Sequence, residues 1–291
     1  MVVRAGLEGR GWGCGWFASV WRGSGGVTRS GVAMATAEAN GRAEVSEEQQ
    51  AGARQATHSR FAATSAPDPE YKPGISADLP SETLVRWLRD MLLIREFELR
   101  TMAAYQQAKI GGFCHIYTGQ EGVAVGTLNA VEHEDPVVVA YRDHGLALAR
   151  GMTPLACMAE MYGRLEGCAK GKGGSMHMFD KPNHFYGGHG IVGAQTPLGA
   201  GLAFAVKYER EVLGKSLGDG GEAGKKVALC FMGDGALNQG AFHEAKNLAA
   251  VLQLPVIFVL ENNKYSMGTA IERGTSMAED LSVKAAAYGM G

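Results

Sequence analysis

The stretch KVALCFMGDGALNQGAFHEAKNLAAVLQLPVIFVLENN, residues 226–263, decides the fold of this chain. Its apolar runs at 226–232 and 255–260 predict two buried strands, and residues 239–252 between them predict a helix. Two strands joined through such a helix run parallel in one sheet, because these crossovers are right-handed and return to the same edge. We therefore predict an α/β protein with a parallel sheet and helices on both faces.

Polar residues follow both predicted strands at the point where each strand ends. The first strand runs into GDG at residues 233–235, and the second runs into ENN at residues 261–263. Ligands of open parallel sheets bind beyond the carboxyl ends of the strands, where Asp234 and Asn263 can share one. Their oxygens suit Mg²⁺, and the glycines let a diphosphate approach the backbone. Either motif alone would more simply be a turn, but the pair predicts a magnesium and diphosphate site.

At this spacing the two motifs resemble the fingerprint of enzymes that use thiamine diphosphate, which runs from GDG to a terminal NN. The resemblance implies a thiamine-diphosphate-binding fold. It implies that Asp234 and Asn263 ligate Mg²⁺ through their side chains and that Tyr265 does so through its backbone carbonyl. It also implies that Gly235 and Ala236 approach the diphosphate of the cofactor.

Further segments within residues 81–273 resemble the alpha subunits of those pyruvate dehydrogenases that work with a separate beta subunit. These segments are GFCH at 112–115, GQE at 119–121, AYRDHG at 140–145, GKGGSMHM at 171–178 and GGHGIVGAQ at 187–195. By this resemblance His115 lies near a 2-oxo acid and is the candidate catalytic residue. Tyr141 and Arg142 would hold the diphosphate, and Gly190 and Val192 would meet the aminopyrimidine ring through their backbone.

Several of these residues also have simpler explanations. A lone histidine such as His115 is more often a surface or satisfied core residue, and only its motif favours a ligand role. Arg142 could be a structural ion-pair partner, although its planar guanidinium suits phosphate and it lies just past a strand end. His177 and His189 stay open, since each could be catalytic or belong to a loop that orders around the cofactor.

The resemblance implies an oxidoreductase, the thiamine-pyrophosphate-dependent, acetyl-transferring pyruvate dehydrogenase. Such an enzyme decarboxylates pyruvate oxidatively with thiamine diphosphate and Mg²⁺, and passes the acetyl group to a lipoyl group of an acyltransferase partner, between glycolysis and acetyl-CoA biosynthesis. The implied partners are a beta subunit, in a heterotetramer of two alpha and two beta subunits, the acyltransferase and pyruvate. Alpha subunits acting on other 2-oxo acids or acetoin are alternatives, as is a truncated, non-catalytic paralogue that binds a beta subunit.

Composition argues against several other classes of protein. The formal charge of −2 and the interspersed signs give no basic stripe, which disfavours nucleic acid binding. The longest apolar runs fall far short of the roughly 20 residues that cross a bilayer, which disfavours membrane insertion. The 5 cysteines form no C-x-x-C pair, which indicates a reducing compartment.

Residues 1–72 differ in composition from the rest of the chain. Residues 1–36 contain several arginines, no lysine and Glu8 as their single acid, which is typical of an organellar transit peptide. For residues 1–36 a disordered tail is the alternative. Residues 37–72 are polar and without clear periodicity, so we expect the remainder of the presequence or a flexible arm. The resemblance implies the mitochondrial matrix as the location, with the plastid as the alternative.

Residues 73–291 form the predicted thiamine-diphosphate-binding domain. The resemblance implies a further strand and a histidine-bearing loop after Gly291, so we expect this domain to be incomplete at its C-terminus. The glycine-rich residues 214–225 predict an exposed loop.

Helix signals also lie upstream of the 226–263 stretch. Ser81 predicts the N-cap of a helix reaching residue 109, and this helix would pack on the sheet through Leu84, Leu88, Met91, Leu92 and Leu99. Residues 120–132 predict a helix, and residues 136–141 predict a strand. Thr153 and Thr196 each precede a proline and predict two more helix starts, the second leading into a helix over 198–213.

Overall fold

The computed structural model describes residues 79–214 and 226–290 of the chain. The predictions for residues 1–72 and for most of the 214–225 loop lie outside these described residues. In chain order the elements are α1 (Ser81–Gln106), α2 (Glu121–Leu128), β1 (Val137–Ala140), α3 (His144–Ala149), α4 (Pro154–Met161), β2 (Phe185–His189), α5 (Gln195–Glu211), β3 (Ala228–Gly233), α6 (Gly240–Val251), β4 (Val256–Glu261), β5 (Tyr265–Ser266), β6 (Thr269–Ala270), α7 (Ile271–Gly274) and α8 (Val283–Ala286).

The main sheet is parallel and has the strand order β2-β1-β3-β4. Strands β3 and β4 pair without a break, from Ala228 opposite Val256 to Gly233 opposite Glu261. The ends of the two strands therefore lie side by side. Asp234 is the first residue after β3 and lies at this edge of the sheet. The parallel sheet predicted from the two apolar runs is confirmed.

Helices cover both faces of the sheet, as predicted. Along β3, Leu229 and Phe231 belong to a core cluster with residues of α1, α2, α3 and α4. Ala228 belongs to a second cluster with alanines of α5 and α6, and Met232 belongs to a third with Phe242 of α6. Because side chains alternate along a strand, this division places the two helix groups on opposite faces.

Strand β2 is not predicted by the sequence, because Gly187 and Gly188 interrupt any apolar pattern. Packing accounts for Gly188: a Cβ there would lie 2.0 Å from Asp143 Oδ2. The Asp143 carboxylate accepts the backbone N–H of Met178 at 2.9 Å. The missing side chain thus lets a buried carboxylate lie against the strand.

Helix α1 buries a different face from the one predicted. Leu88 and Leu92 of the predicted face are 51% and 57% exposed. The buried side chains are Ile94, Phe97, Glu98, Thr101 and Ala104. The buried face contains Glu98, whose carboxylate forms hydrogen bonds with Tyr117 and His144. Because a pattern of apolar residues cannot identify a buried glutamate, the predicted face of this helix is wrong.

Only one of the three predicted helix caps is present. Thr153 caps α4, because its Oγ1 accepts the N–H of Ala156 at 3.2 Å and Pro154 follows at the first helical position. Ser81 lies inside α1, whose N-cap residue is Pro80. Thr196 lies inside α5, and its hydroxyl donates to the carbonyl of Gly193 at 2.7 Å.

Two further predictions hold with shorter bounds, namely the helix at 120–132, which is α2, and the strand at 136–141, which is β1. No helix within residues 79–214 and 226–290 is long and apolar enough to span a membrane.

Candidate functional site

A cleft of about 220 Å³, lined by both polar and apolar groups, lies at the carboxyl edge of the sheet. Strands β1, β3 and β4 each run into it, so residues far apart in the sequence meet there. Its lining includes Tyr141, Arg142, Val192, Asp234, Gly235, Ala236, Asn263 and Tyr265. Since a water takes about 30 Å³ of liquid volume, the cleft has room for a polar group of several heavy atoms. The structure thus brings together eight of the predicted site residues.

Oxygen ligands for a hard cation are present in this cleft. Asp234 is 3% exposed, and burial raises the pKa of its carboxyl above the usual range. Asn263 lines the same cleft, and its Oδ1 accepts the N–H of Tyr265 at 3.1 Å. Carboxylate, amide and backbone carbonyl oxygens together fit Mg²⁺ better than a softer metal. Among the described residues no group of three or more His, Cys, Asp or Glu side chains could hold a metal ion, so this mixed set is the candidate.

Two local features show that the cleft suits a bound group. Gly235 lies so close to Ser266 that a Cβ would come within 2.0 Å of the Ser266 hydroxyl, so backbone rather than side chain faces the cleft at this position. Gln195 is fully buried and donates through Nε2 to the carbonyl of Phe231 at 3.0 Å. Its Oε1 has no partner, and a buried acceptor without a donor costs free energy unless a ligand or water supplies one. The unpaired Oε1 of Gln195 therefore favours a ligand that carries a hydrogen-bond donor.

Arg142 joins the cleft to the neighbouring 112–119 segment. It follows β1 and Tyr141, lines the cleft, and donates through Nη1 to the backbone carbonyl of Ile116. This contact holds one terminal nitrogen of the guanidinium. An arginine anchored in this way can present its other donors to a phosphate.

His115 lies beside the cleft rather than in its lining. Its ring packs on the ring of Tyr141 with centroids 4.5 Å apart. Burial, followed by the positive charges of Arg142 and His144, lowers the pKa of His115 from 6.5 to about 4. The imidazole is therefore neutral at pH 7, so it can donate and accept hydrogen bonds without adding charge.

Gly190, the other predicted residue outside the lining, lies behind Val192. A Cβ on Gly190 would come within 3.2 Å of the His177 ring, so the glycine allows that ring to approach. His177 Nδ1 makes a hydrogen bond with the Gly188 carbonyl at 3.0 Å, and His189 packs edge-on against Phe179. Neither histidine lines the cleft, although both belong to the glycine-rich region beside it.

Other cleft residues were not given a role by the sequence. Gln120, Gln239 and Glu261 also line the cleft. Glu261 is buried and accepts a hydrogen bond from the hydroxyl of Tyr117, and burial raises the pKa of its carboxyl to about 7. Its position at the end of β4, directly before the NN motif, was a usable signal for Glu261. Gln120 belongs to the GQE segment at 119–121, which was a further signal, whereas no comparable signal marks Gln239.

The fold and its cleft define the class of the chain, an open parallel α/β protein in which carboxylate, amide and guanidinium side chains meet at the carboxyl edge of the sheet, where ligands of such sheets bind. The chain belongs to the dehydrogenase E1 component family, whose family model matches residues 89–291. The resemblance seen in the sequence motifs is thereby confirmed at the level of the family.

Relatives with high identity carry one name. The chain is 47% identical over 76% of its length to the pyruvate dehydrogenase E1 component subunit alpha of Rhizobium meliloti, and covers 60% of that protein. It is 49% identical over 72% of its length to the subunit alpha of Zymomonas mobilis, covering 55% of it. It is 47% identical over 68% of its length to the mitochondrial subunit alpha of Solanum tuberosum, covering 47% of it. The chain thus spans about half to three fifths of these relatives.

One solved structure also resembles the chain, that of an enzyme from Mycobacterium smegmatis proposed to depend on thiamin diphosphate. The identity is 19% and the TM-score is 0.36, over 58% of this chain and 25% of that one. So low a score carries no argument, and the fold described above rests on strand order, register and core packing.

Proposed function

We propose that this chain is the thiamine-diphosphate-binding alpha subunit of a pyruvate dehydrogenase. The observation that carries the proposal is the cleft at the carboxyl edge, where Asp234, Asn263 and Arg142 meet although they come from three different strand ends. Membership of the dehydrogenase E1 component family and the shared name of the relatives support the same function.

Each side of the cleft would hold a different part of the cofactor. Asp234 and Asn263 would bind Mg²⁺ through side-chain oxygens, and Tyr265 would do so through its backbone carbonyl. Tyr141 and Arg142 would hold the diphosphate through their side chains. Gly235 and Ala236 would offer it backbone N–H groups. Thiamine diphosphate, when bound, supplies the nucleophilic carbon and the electron sink that decarboxylation requires.

Gly190 and Val192 would contact the aminopyrimidine part of the cofactor through their backbone. His115 would contact the 2-oxo acid from beside Tyr141. A pKa of about 4 keeps its imidazole neutral at working pH, so it can donate one hydrogen bond to the substrate while its other nitrogen stays an acceptor.

The partners would be a beta subunit, in an assembly of two alpha and two beta subunits, and an acyltransferase whose lipoyl group takes the acetyl unit. The site of action would be the mitochondrial matrix. The arginine-rich, lysine-free residues 1–36 and the mitochondrial relative from potato support that location. N-terminal sequencing of the protein purified from isolated mitochondria tests it, because a transit peptide predicts a mature start within residues 1–72, and an intact Met1 would contradict it.

Calorimetric titration of the complex with its beta subunit tests the cofactor site. Asp234→Ala should weaken Mg²⁺-dependent binding of thiamine diphosphate by about 100-fold or more, since losing even an outer partner of a metal ligand costs about 10- to 100-fold. Asp90→Ala, on α1 and away from the cleft, is the matched control and should bind as the wild type does. Equal affinity in the two variants would remove Asp234 from the site.

The substrate is tested by turnover with a panel of 2-oxo acids. The complex should act on pyruvate with a higher kcat/KM than on branched-chain 2-oxo acids or on acetoin. A preference for either of the latter would assign the chain to a neighbouring substrate class within the family. Tight cofactor binding without turnover of any of them would favour a non-catalytic alpha subunit.

A further inference from the structure

Behind the cleft, three buried side chains from separate segments form a continuous hydrogen-bonded chain. Glu98 of α1 contacts His144 Nδ1 through both carboxylate oxygens, at 3.1 and 3.0 Å. His144 Nε2 contacts Ser175, at 2.8 Å to its Oγ and 2.9 Å to its backbone carbonyl. Glu98 and His144 are fully buried and Ser175 is 2% exposed. We call these three residues the buried triad.

The partners of His144 determine where its protons lie. Nδ1 faces a carboxylate, and Nε2 faces the carbonyl oxygen of Ser175; both are acceptors only. Nδ1 therefore carries a proton for the Glu98 carboxylate, whereas Nε2 can donate to the Ser175 carbonyl when protonated or accept from the Ser175 hydroxyl when not. Burial by itself lowers the pKa of His144, but Glu98 outweighs it, with a smaller contribution from Asp143, so the pKa lies above the usual 6.5.

The order Glu, His, Ser invites comparison with a hydrolytic triad, and the geometry excludes that function. The Ser175 hydroxyl is buried, and its oxygen already accepts the backbone N–H of His115 at 3.1 Å. No member of the buried triad lines the cleft at the carboxyl edge of the sheet.

The triad instead binds the backbone on both sides of one short segment. Ser175 Oγ accepts the N–H of His115, and Glu98 Oε1 accepts the N–H of Tyr117 at 2.8 Å. Between these two contacts, the carbonyl of Ile116 accepts a hydrogen bond from Arg142. Three consecutive residues are thus held by groups from three other segments, and the first of them carries the imidazole beside the cleft.

We propose that Glu98, His144 and Ser175 are positioning residues, whose ion pair and hydrogen bonds fix His115 relative to Tyr141 and Arg142. The contribution of this positioning to turnover rests on the proposed function, in which His115 contacts the 2-oxo acid. The positioning itself rests on the backbone contacts alone and can be measured without substrate.

Protonation of His144 couples this positioning to pH. The charged groups that face its ring are Glu98 from α1 and Asp143 from the preceding turn, and His115 lies close enough to feel its charge. Because the folded pKa of His144 is raised, the stabilisation is fully present below 6.5 and is lost as pH rises through the folded pKa. Loss of the Nε2 proton removes the ion pair with Glu98 and the N–H donor to the Ser175 carbonyl, so the His115 segment should loosen on the alkaline side.

Hydrogen exchange of residues 112–118 in the assembled alpha–beta complex tests the positioning. Ser175→Ala removes the acceptor for the His115 N–H, and the exchange of this segment, corrected for intrinsic rates, should quicken by about tenfold, the factor for one lost buried hydrogen bond. Glu98→Gln should have a similar or larger effect, and Glu98→Asp should restore part of the protection. Thr101→Val is the matched control, since Thr101 is a buried residue of the same helix whose hydroxyl has no partner.

Kinetics of the same variants separate this inference from the proposed function. Ser175→Ala should lower kcat/KM for the 2-oxo acid by about tenfold for the same lost bond, while the Kd for thiamine diphosphate stays within about twofold. Exchange in Ser175→Ala and Glu98→Gln that matches Thr101→Val would overturn the inference, whatever the activity. A third outcome is that the Ser175→Ala and Glu98→Gln variants exchange faster while the wild-type complex turns over no 2-oxo acid. That outcome would uphold the positioning and reject the proposed function.

Discussion

Two buried carboxylates of this chain have opposite surroundings. Glu160, at the end of α4, accepts four backbone N–H groups of the glycine-rich 169–174 loop, from Gly173 at 2.6 Å, Ala169 at 2.7 Å, Gly171 at 2.9 Å and Gly174 at 3.3 Å. Asp234, at the end of β3, lines the cleft, and no side chain of another residue bonds to it in the described part of the chain. Glu160 is 0% exposed and Asp234 is 3% exposed, so burial alone does not distinguish them.

The difference separates a carboxylate that the fold itself satisfies, Glu160, from one that we propose to bind a ligand, Asp234. The loop around Glu160 supplies its own donors, and Gly171, with a φ of +73°, adopts the left-handed backbone that this wrapping requires. Asp234 keeps oxygen lone pairs for the cleft at a cost in solvation, which is visible in its raised pKa. Stability should therefore depend on the first carboxylate and ligand binding on the second.

The largest effect is expected from Glu160→Gln. The amide of the variant keeps one acceptor oxygen and turns its NH₂ group towards backbone N–H donors. Two of the four N–H groups then have no acceptor. We expect the free energy of unfolding to fall by about 3 kcal/mol, since each buried unsatisfied group costs about 1–3 kcal/mol. Urea denaturation followed by circular dichroism measures it.

Glu166→Gln is the control for this change, because Glu166 lies between α4 and the 169–174 loop and is exposed. Its effect should stay within about 0.5 kcal/mol, as for most surface substitutions. If the two variants unfold at the same urea concentration, the wrapping of Glu160 does not stabilise the loop.

Asp234→Asn should have the opposite balance of effects. The neutral amide removes the cost of a buried charge, so stability near pH 7 should stay equal or rise, while Mg²⁺-dependent binding of thiamine diphosphate should fall by about 100-fold or more. Thermal unfolding with and without cofactor separates the two. A variant that is destabilised without cofactor would place Asp234 in the structural class with Glu160.

The sign of the pH dependence sharpens this test. A carboxyl whose folded pKa is raised binds its proton more tightly in the folded state, so its charged form disfavours folding above that pKa. The stability gained by Asp234→Asn over the wild type should therefore shrink as pH falls through the folded pKa of Asp234. A gain that grows on acidification would mean that the native carboxylate is stabilised by its surroundings.

The part of the site that the sequence predicts is the part built from strand ends. Asp234 and Asn263 follow apolar runs directly, and parallel pairing makes their convergence a consequence of the strand, helix, strand order. Glu160 and Glu98 gave no such signal. Their partners are backbone N–H groups and side chains that approach only once the chain is folded, and a glutamate on a helix is usually assigned to the solvent face.

The same limit explains why β2 was missed and why the wrong face of α1 was chosen. Gly188 is a strand residue because Asp143 needs its space, and Glu98 is turned inward because His144 is there. Both facts depend on the tertiary structure. Local patterns sufficed for strands β1, β3 and β4, which are apolar runs, and for the cap of α4, since a cap is a contact between residues three apart.

The smallest effect is expected at that cap. Thr153→Ala removes the acceptor for the Ala156 N–H, and a lost N-cap costs about 1 kcal/mol of stability. Because Glu160 occupies the last turn of the same helix, fraying of α4 should also loosen the 169–174 loop. The affinity for thiamine diphosphate at the Asp234 site should not change. Hydrogen exchange of the loop and calorimetry of cofactor binding measure the two responses. Thr196→Val is the control, because it removes a hydroxyl that caps no helix. If the 169–174 loop exchanges equally fast in both variants, fraying of α4 does not loosen the loop through Glu160.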